Sequence, residues 1–87
     1  MVMNTGQASM TATAASIISS NSTRKSLVIT NTGSNTIYLG DNSSVTDSNG
    51  YPLEAGGTLK DTSYSGTWYG ICSSGETSTA NYIEEDN

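Results

Sequence analysis

Short runs of β-branched and aromatic residues, each closed by turn-forming residues, limit this chain to an all-β fold more than any other feature. The clearest runs lie at 24–30, 36–40 and 67–72. In the first run, Leu27 and Ile29 are two positions apart, so both would face the same side of a strand. No stretch shows helical periodicity beyond one turn. The pattern therefore predicts strands throughout the chain.

The runs add up to six or seven short strands, which predicts a small antiparallel β-sandwich or barrel. We expect the strands at 24–30 and 36–40 to pair as a hairpin, because only a short turn containing Gly33 separates them. Pro52 lacks the N–H that a central strand needs, so its segment should be an edge or a connector. The other predicted strands lie at 9–19, 51–53, 58–61, 67–72 and 79–84, with a possible short one near Val45.

The N-terminal block, residues 1–22, has no aromatic and no charged residue. Its first eight residues are typical of a flexible arm, which is either disordered or docked on a partner. We therefore predict a polar, extended N-terminal arm with a possible first strand over 1–22. The β-sandwich domain would then cover 23–87.

Charge and composition exclude several classes of protein. The formal net charge is −5 with three Lys and Arg residues in all, so the chain lacks the positive field of a nucleic-acid-binding protein. Histidine is absent and a single cysteine is present, which leaves no internal disulfide and no ready general base. No segment approaches the ~18 apolar residues of a membrane span, and the N-terminus lacks the pattern of a signal peptide. We expect no nucleic-acid or membrane partner.

The candidate chemical groups favour structural interpretations. Asp41 and Asp47 lie in a polar loop, and residues 84–86 form an acidic end, so both sets are predicted to be solvated rather than catalytic. The loop at 41–50 offers oxygen ligands for Ca²⁺, but its spacing is not that of an EF-hand and favours turn chemistry. Cys72 is predicted to be a buried structural thiol. The sequence thus predicts neither an enzyme nor a cofactor.

The aromatic and cationic residues are the candidates for binding. Trp68 and Tyr69 should point to opposite faces of one strand, so one enters the core and the other lies at a surface or an interface. Together with Tyr82, they are predicted to serve core or inter-subunit packing, although a sugar-stacking platform is an alternative. Arg24 and Lys25 could pair with the acidic end of the same chain, of a neighbouring chain, or with an acidic partner.

Three segments carry a resemblance to a known class of protein. They read ITNTGSNTIYLG at 29–40, NGYPLEAGG at 49–57 and GTWYGI at 66–71. In outline they resemble the small β-sandwich modules of tailed-bacteriophage virions, among them capsid decoration (cement) proteins and domains on head fibres. The resemblance covers about residues 24–85 and rests mainly on strand and turn chemistry.

The resemblance implies a structural protein without catalytic residues. Such a protein binds the exterior of the phage head, commonly as a trimer, and bridges neighbouring subunits of the major capsid protein. Its localisation would be the virion, after assembly in the host cytoplasm. A homotrimer also suits a small core with no disulfide, since self-association covers sheet edges. Our candidates for capsid contact are Met1, Val2, Met3, Arg24 and Lys25.

A different class of function stays open beside this one. The chain could be a carbohydrate- or cell-surface-binding module of a head or tail fibre. It would then use an exposed Trp or Tyr together with the loop at 41–50. The exposure of Trp68 is the feature that discriminates between the two functions.

Overall fold

A computed structural model describes residues 2–87, and within that range it contains eight β-strands and no helix. The all-β prediction is confirmed, but the number of strands is eight rather than six or seven. The extra strand arises because the segment predicted as one strand at 9–19 is divided by a turn. The strands are β1 (Val2–Met10), β2 (Ala15–Ile18), β3 (Arg24–Asn31), β4 (Ile37–Gly40), β5 (Tyr51–Leu53), β6 (Thr58–Asp61), β7 (Trp68–Ile71) and β8 (Ser78–Asp86).

The strands form two antiparallel four-stranded sheets. Sheet I has the order β1-β8-β3-β6, and sheet II has the order β2-β7-β4-β5. The strands pair as in one long hairpin: β1 with β8, β2 with β7, β3 with β6 and β4 with β5. Successive pairs lie alternately in sheet I and in sheet II. Eight strands wound in this way into two packed sheets define a jelly roll.

The expected hairpin between the strands at 24–30 and 36–40 is wrong. β3 lies in sheet I and β4 lies in sheet II, so the turn between them crosses from one sheet to the other. The crossing is held by Asn31, which is completely buried and donates from Nδ2 to the carbonyls of Asn35 and Leu53, both at 2.8 Å. Its Oδ1 accepts hydrogen bonds from Gly33 N and from Ser78 Oγ. A side chain that binds both sheets fixes the chain at the corner.

The core lies between the two sheets and draws side chains from both. Leu27 and Ile29 share one face of β3, as the sequence predicts, and that face is buried, while alternation along β4 buries Ile37 and Leu39. Aliphatic residues dominate this core, and Trp68 and Tyr82 pack at its margin. The buried cluster comprises Met10, Ile17, Ile18, Leu27, Ile29, Ile37, Leu39, Leu53, Cys72 and Ala80.

The flexible arm predicted at the N-terminus is wrong for residues 2–8. They belong to β1, which pairs with β8 along its whole length, from Val2 opposite Asp86 to Met10 opposite Ser78. The backbone of a strand bonds whatever its side chains are, so a polar and glycine-containing segment can still extend a sheet. β1 and β2 therefore contribute one strand to each sheet.

Candidate interaction surface

The outer face of sheet II carries a cluster of aromatic and apolar side chains. Tyr38 lies opposite Ile71 on β7 and opposite Pro52 on β5, and Tyr69 lies opposite Gly40. Residues directly opposite each other in an antiparallel pair share a face of the sheet. Because the neighbours of Tyr38 along β4 are buried in the core, Tyr38 and its partners face outward. We call Tyr38, Pro52, Tyr69 and Ile71 the tyrosine face.

The orientation of β7 is confirmed by its glycine. Gly70 is buried, and a Cβ built there would lie 2.8 Å from Met10 Sδ and 2.9 Å from Ile37 Cγ2. Position 70 therefore faces the centre of the core, where the sheets approach too closely for a side chain. Its neighbours Tyr69 and Ile71 must consequently point away from the core, and both are half-buried.

The loop at 41–50 folds back over one side of the tyrosine face. Val45 is buried, and it packs over Gly40, where an added Cβ would meet the valine side chain at 2.8 Å. A Cβ added at Gly50 would likewise lie 2.7 Å from Tyr38 Cβ. The possible strand near Val45 is absent within the described loop, whose polar groups form turns: Asn49 Oδ1 accepts from Thr46 N at 2.8 Å. Pro52 is the exposed member of the tyrosine face, whereas Tyr38, Tyr69 and Ile71 are half-buried.

The charge pattern separates the two outer faces of the sandwich. The four strands of sheet II, all within the described range, contain no Asp, Glu, Lys or Arg. The outer face of sheet I carries Lys60 opposite Val28 and Glu85 opposite Met3. In a chain of net charge −5, an uncharged aromatic face has the composition of an interface core, where Tyr is enriched and charge is depleted.

The other aromatic candidates pack inward. Trp68 lies against the core, and Tyr64 meets its ring edge-on with centroids 5.7 Å apart. Among residues 2–87, Trp68 Nε1 is the one buried side-chain polar atom without a hydrogen-bond partner. Tyr82 also packs at the core margin, over Gly6 of β1. Trp68 and Tyr69 thus point to opposite sides, as predicted, and Tyr69 is the one on the outer surface.

Arg24 is buried and bonded to its own chain. Its side chain is 1% exposed, and its Nε donates to Glu84 Oε2 at 2.8 Å. The remaining nitrogens donate to the carbonyls of Ser19, Tyr64 and Gly66. Of the open alternatives, the structure thus shows pairing within the chain, and the expectation that Glu84 is solvated is wrong. The guanidinium presents no charge to a partner.

Asn4 and Asn21 complete this polar cluster. Each donates from Nδ2 to Glu84 Oε1 and also to the carboxylate of Asp86. Burial by itself raises the pKa of Glu84, but the hydrogen bonds from Arg24, Asn4 and Asn21, with the guanidinium charge, outweigh it and lower the pKa below its ordinary value. Glu84 is therefore a structural carboxylate that stays ionised at neutral pH.

The remaining capsid-contact candidates are at the surface. Val2 and Met3 are 53% and 56% exposed, and alternation puts them on opposite faces of β1. Lys25 is exposed at a register shift between Arg24 and Ser26. Met1 lies outside the described residues.

Cys72 and the two loop aspartates lie in different environments. Cys72 is buried, and burial followed by the charge of Glu76 raises the pKa of its thiol. Asp41 and Asp47 are exposed in the loop, where Asp41 accepts a hydrogen bond from the adjacent Asn42. Among residues 2–87, no three acidic or cysteine side chains come together as a metal site would require.

Comparisons with protein families, with characterised proteins and with solved structures give no match for this chain. No helix in the range 2–87 has the length and apolar character needed to cross a membrane. The candidate surface therefore rests on the geometry and chemistry of the residues themselves.

Proposed function

We propose that this chain is a structural virion protein of the capsid decoration class. It binds the outer surface of a tailed-phage head and stabilises the shell by bridging subunits of the major capsid protein. The jelly roll supports the proposal at the level of fold, since viral capsid domains often have it, as do lectins and cupins. Proteins with several different functions share this fold, so the fold alone does not identify the function. The chemistry of the surface has to distinguish between the candidate functions.

The observation that carries the proposal is the tyrosine face. Tyr38, Tyr69 and Ile71 are half-buried and Pro52 is exposed, on a sheet whose strands bear no charge. Rigid aromatic side chains gain contact area with little loss of conformational entropy, and an uncharged face has no ion to desolvate when a partner covers it. These are the properties of a surface that binds protein permanently.

Other contacts are proposed from the sequence. Val2 and Met3 of β1 expose apolar side chains near one end of sheet I, and Lys25 of β3 is the exposed member of the Arg24-Lys25 pair. Each is proposed as a further capsid contact on sheet I, outside the tyrosine face. The side chain of Arg24 is not proposed as a capsid contact, because all of its hydrogen bonds are to groups of its own chain. The homotrimer is an expectation from the resemblance alone, and the mass of the protein in solution distinguishes it from other oligomers.

The test is binding to phage heads assembled without the protein. Ile71→Glu places a charge on the tyrosine face, and Ile83→Glu places the same charge on the outer face of sheet I, where Ile83 is 37% exposed. We expect I71E to lose co-sedimentation with heads while I83E retains it, both remaining folded by circular dichroism. Equal binding of the two variants, or no binding of the unchanged protein, would reject the proposal.

A second function, glycan binding, is favoured by the same aromatic face. Lectins also use jelly rolls, and sugars stack on exposed aromatic rings. Trp68 is turned inward, so a stacking platform on sheet II would use Tyr38 and Tyr69, or Tyr51 of β5, which is 64% exposed. Saturable binding on a glycan array that Tyr69→Ala abolishes, without binding to heads, would select this function instead.

A further inference from the structure

One sheet edge differs from the other three in a way that indicates a pairing partner. An edge strand exposes unpaired N–H and C=O groups, and proteins that stay separate shield such edges with short strands, charges, proline or bulges. β5 has three residues and contains Pro52, β2 has four residues and a register shift, and β6 carries Lys60 and Asp61. Each of these three edges has at least one shielding device.

β1 has none of these devices. It runs for nine residues at the edge of sheet I, from Val2 to Met10, without a charged residue, a proline or a register shift. Its one ladder partner is β8, so its outer edge has no strand beside it within the described chain. An open edge of this length provides many backbone donors and acceptors for a further strand.

We propose that β1 pairs antiparallel with β1 of a second copy, joining the two molecules by one continuous eight-stranded sheet. The absence of charged side chains along β1 removes direct repulsion at the point where two chains of net charge −5 would meet. The strand is also self-complementary. With all nine residues overlapping, Gly6 lies opposite Gly6 of the second copy, and Thr5 lies opposite its Gln7.

The side chains suit this register. Residues opposite each other share a face, so the inward positions Ala8 and Met10 continue the inner side of the sheet, while Thr5 and Gln7 continue the outer side. At the centre, Gly6 contributes no side chain of its own, and the ring of Tyr82 lies over it. A trimer would need β1 to pair with a different edge, and the other edges are shielded.

The pairing also sets the direction of the two tyrosine faces in the dimer. The importance of that direction for binding rests on the proposed function. Because the inner sides of both sheets I point the same way, both sheets II lie on the same side of the joined sheet. The two tyrosine faces therefore point in a common direction. A dimer would present two equivalent binding faces to one surface, which raises avidity without any new contact.

The test uses the purified full chain without heads, so its result is independent of capsid binding. Light scattering over a wide concentration range should give twice the chain mass of 9.0 kDa. Thr5→Lys with Gln7→Lys sets like charges against each other across the axis and should give the single-chain mass. Thr5→Lys with Gln7→Glu sets opposite charges against each other in the same register and should restore the dimer.

Thr58→Lys with Thr62→Lys adds the same charge on the β6 side of the molecule and should leave the dimer intact. Circular dichroism establishes that each variant is folded, and Thr5→Glu with Gln7→Glu is a second like-charge pair. A single-chain mass for the unchanged protein at every concentration would overturn the proposal, as would a trimer. A folded T5K/Q7K variant that stays dimeric, or a folded T5K/Q7E variant that stays monomeric, would overturn the pairing through β1.

Discussion

Arg24 and Glu84 form a buried ion pair that closes one end of the sandwich, with Nε and Oε2 2.8 Å apart. It is the one ion pair among residues 2–87. The guanidinium also binds the carbonyls of Ser19, Tyr64 and Gly66, which lie in the loops before β3 and before β7. One side chain thus ties two strands of sheet I to two loops, and the stability of this end should depend on it.

Arg24→Ala should destabilise the protein by about 3–5 kcal/mol, because it leaves Glu84 buried with its charge uncompensated and frees three carbonyls. Lys25→Ala, at the exposed neighbouring position, should change stability by no more than about 0.5 kcal/mol. Urea unfolding of both variants measures the difference. Similar midpoints for the two would show that the ion pair contributes little.

Acidification should destabilise the protein through Glu84. Its pKa in the folded protein is below the ordinary 4.5, so the folded state binds fewer protons than the unfolded state at mildly acidic pH. The contribution of Glu84 to the free energy of unfolding is complete above the pKa that Glu84 has in the unfolded chain. It is lost as pH falls through the lower pKa of Glu84 in the folded protein. Thermal melts at a series of acidic pH values should show a decline in Tm that is smaller in Glu84→Gln. An equal decline in both proteins would assign the acid sensitivity to other groups.

Asn31→Ala should destabilise the protein by about 3 kcal/mol or more. The substitution leaves the buried carbonyl of Leu53 and the buried hydroxyl of Ser78 without their partner, and each lost buried bond costs about 1–3 kcal/mol. Asn35→Ala removes a single exposed bond to the Thr77 carbonyl and should cost about 1 kcal/mol or less. Chemical unfolding compares them, and a small effect at Asn31 would contradict its role at the corner between sheets.

Trp68→Phe should cost far less than Trp68→Ala. The first substitution loses some volume but also removes a buried N–H that has no partner within residues 2–87, so its net effect should be within about 1 kcal/mol. The second removes the ring that packs against the core and should cost about 3–5 kcal/mol. Equal losses in unfolding free energy would mean that the N–H is satisfied in solution.

Strand positions could largely be predicted from the sequence, whereas their pairing could not. Alternation predicts that Leu27 and Ile29 share one face, which the structure shows to be the buried one, and the missing N–H of Pro52 indicates the edge strand that β5 proves to be. A short turn suits a hairpin and a crossing between sheets equally well. The choice is made by Asn31, whose bonds to Leu53 and Ser78 join residues far apart in the chain.

The burial of Arg24 could not be predicted because it depends on an irregularity. Strict alternation from Leu27 would turn Lys25 inward and Arg24 outward. The register shift between Arg24 and Ser26 reverses this, as a β-bulge does, so Arg24 enters the polar cluster and Lys25 is exposed. A bulge is set by pairing with β8, which no local pattern reveals.

The sequence indicates the tyrosine face only through Trp68 and Tyr69, one of which must lie at a surface. Tyr38 and Ile71 could have been found by the same alternation, since each stands between two core positions, but their grouping needs the register of β4 with β7. β1 was missed for a related reason. Its inward positions near the end of the sheet hold Asn4 and Gly6, which meet Glu84 and Tyr82 rather than an apolar core.

The most direct measurement of the proposed function is hydroxyl-radical footprinting of the protein, free and bound to heads. We predict that binding protects Tyr69, Ile71 and Pro52 on the tyrosine face. Two residues outside the tyrosine face are partly exposed in the free protein and should keep their labelling: Ile83 on sheet I and Tyr64 in the loop between β6 and β7. Unchanged labelling of Tyr69 and Ile71 in the bound protein would contradict binding through the tyrosine face.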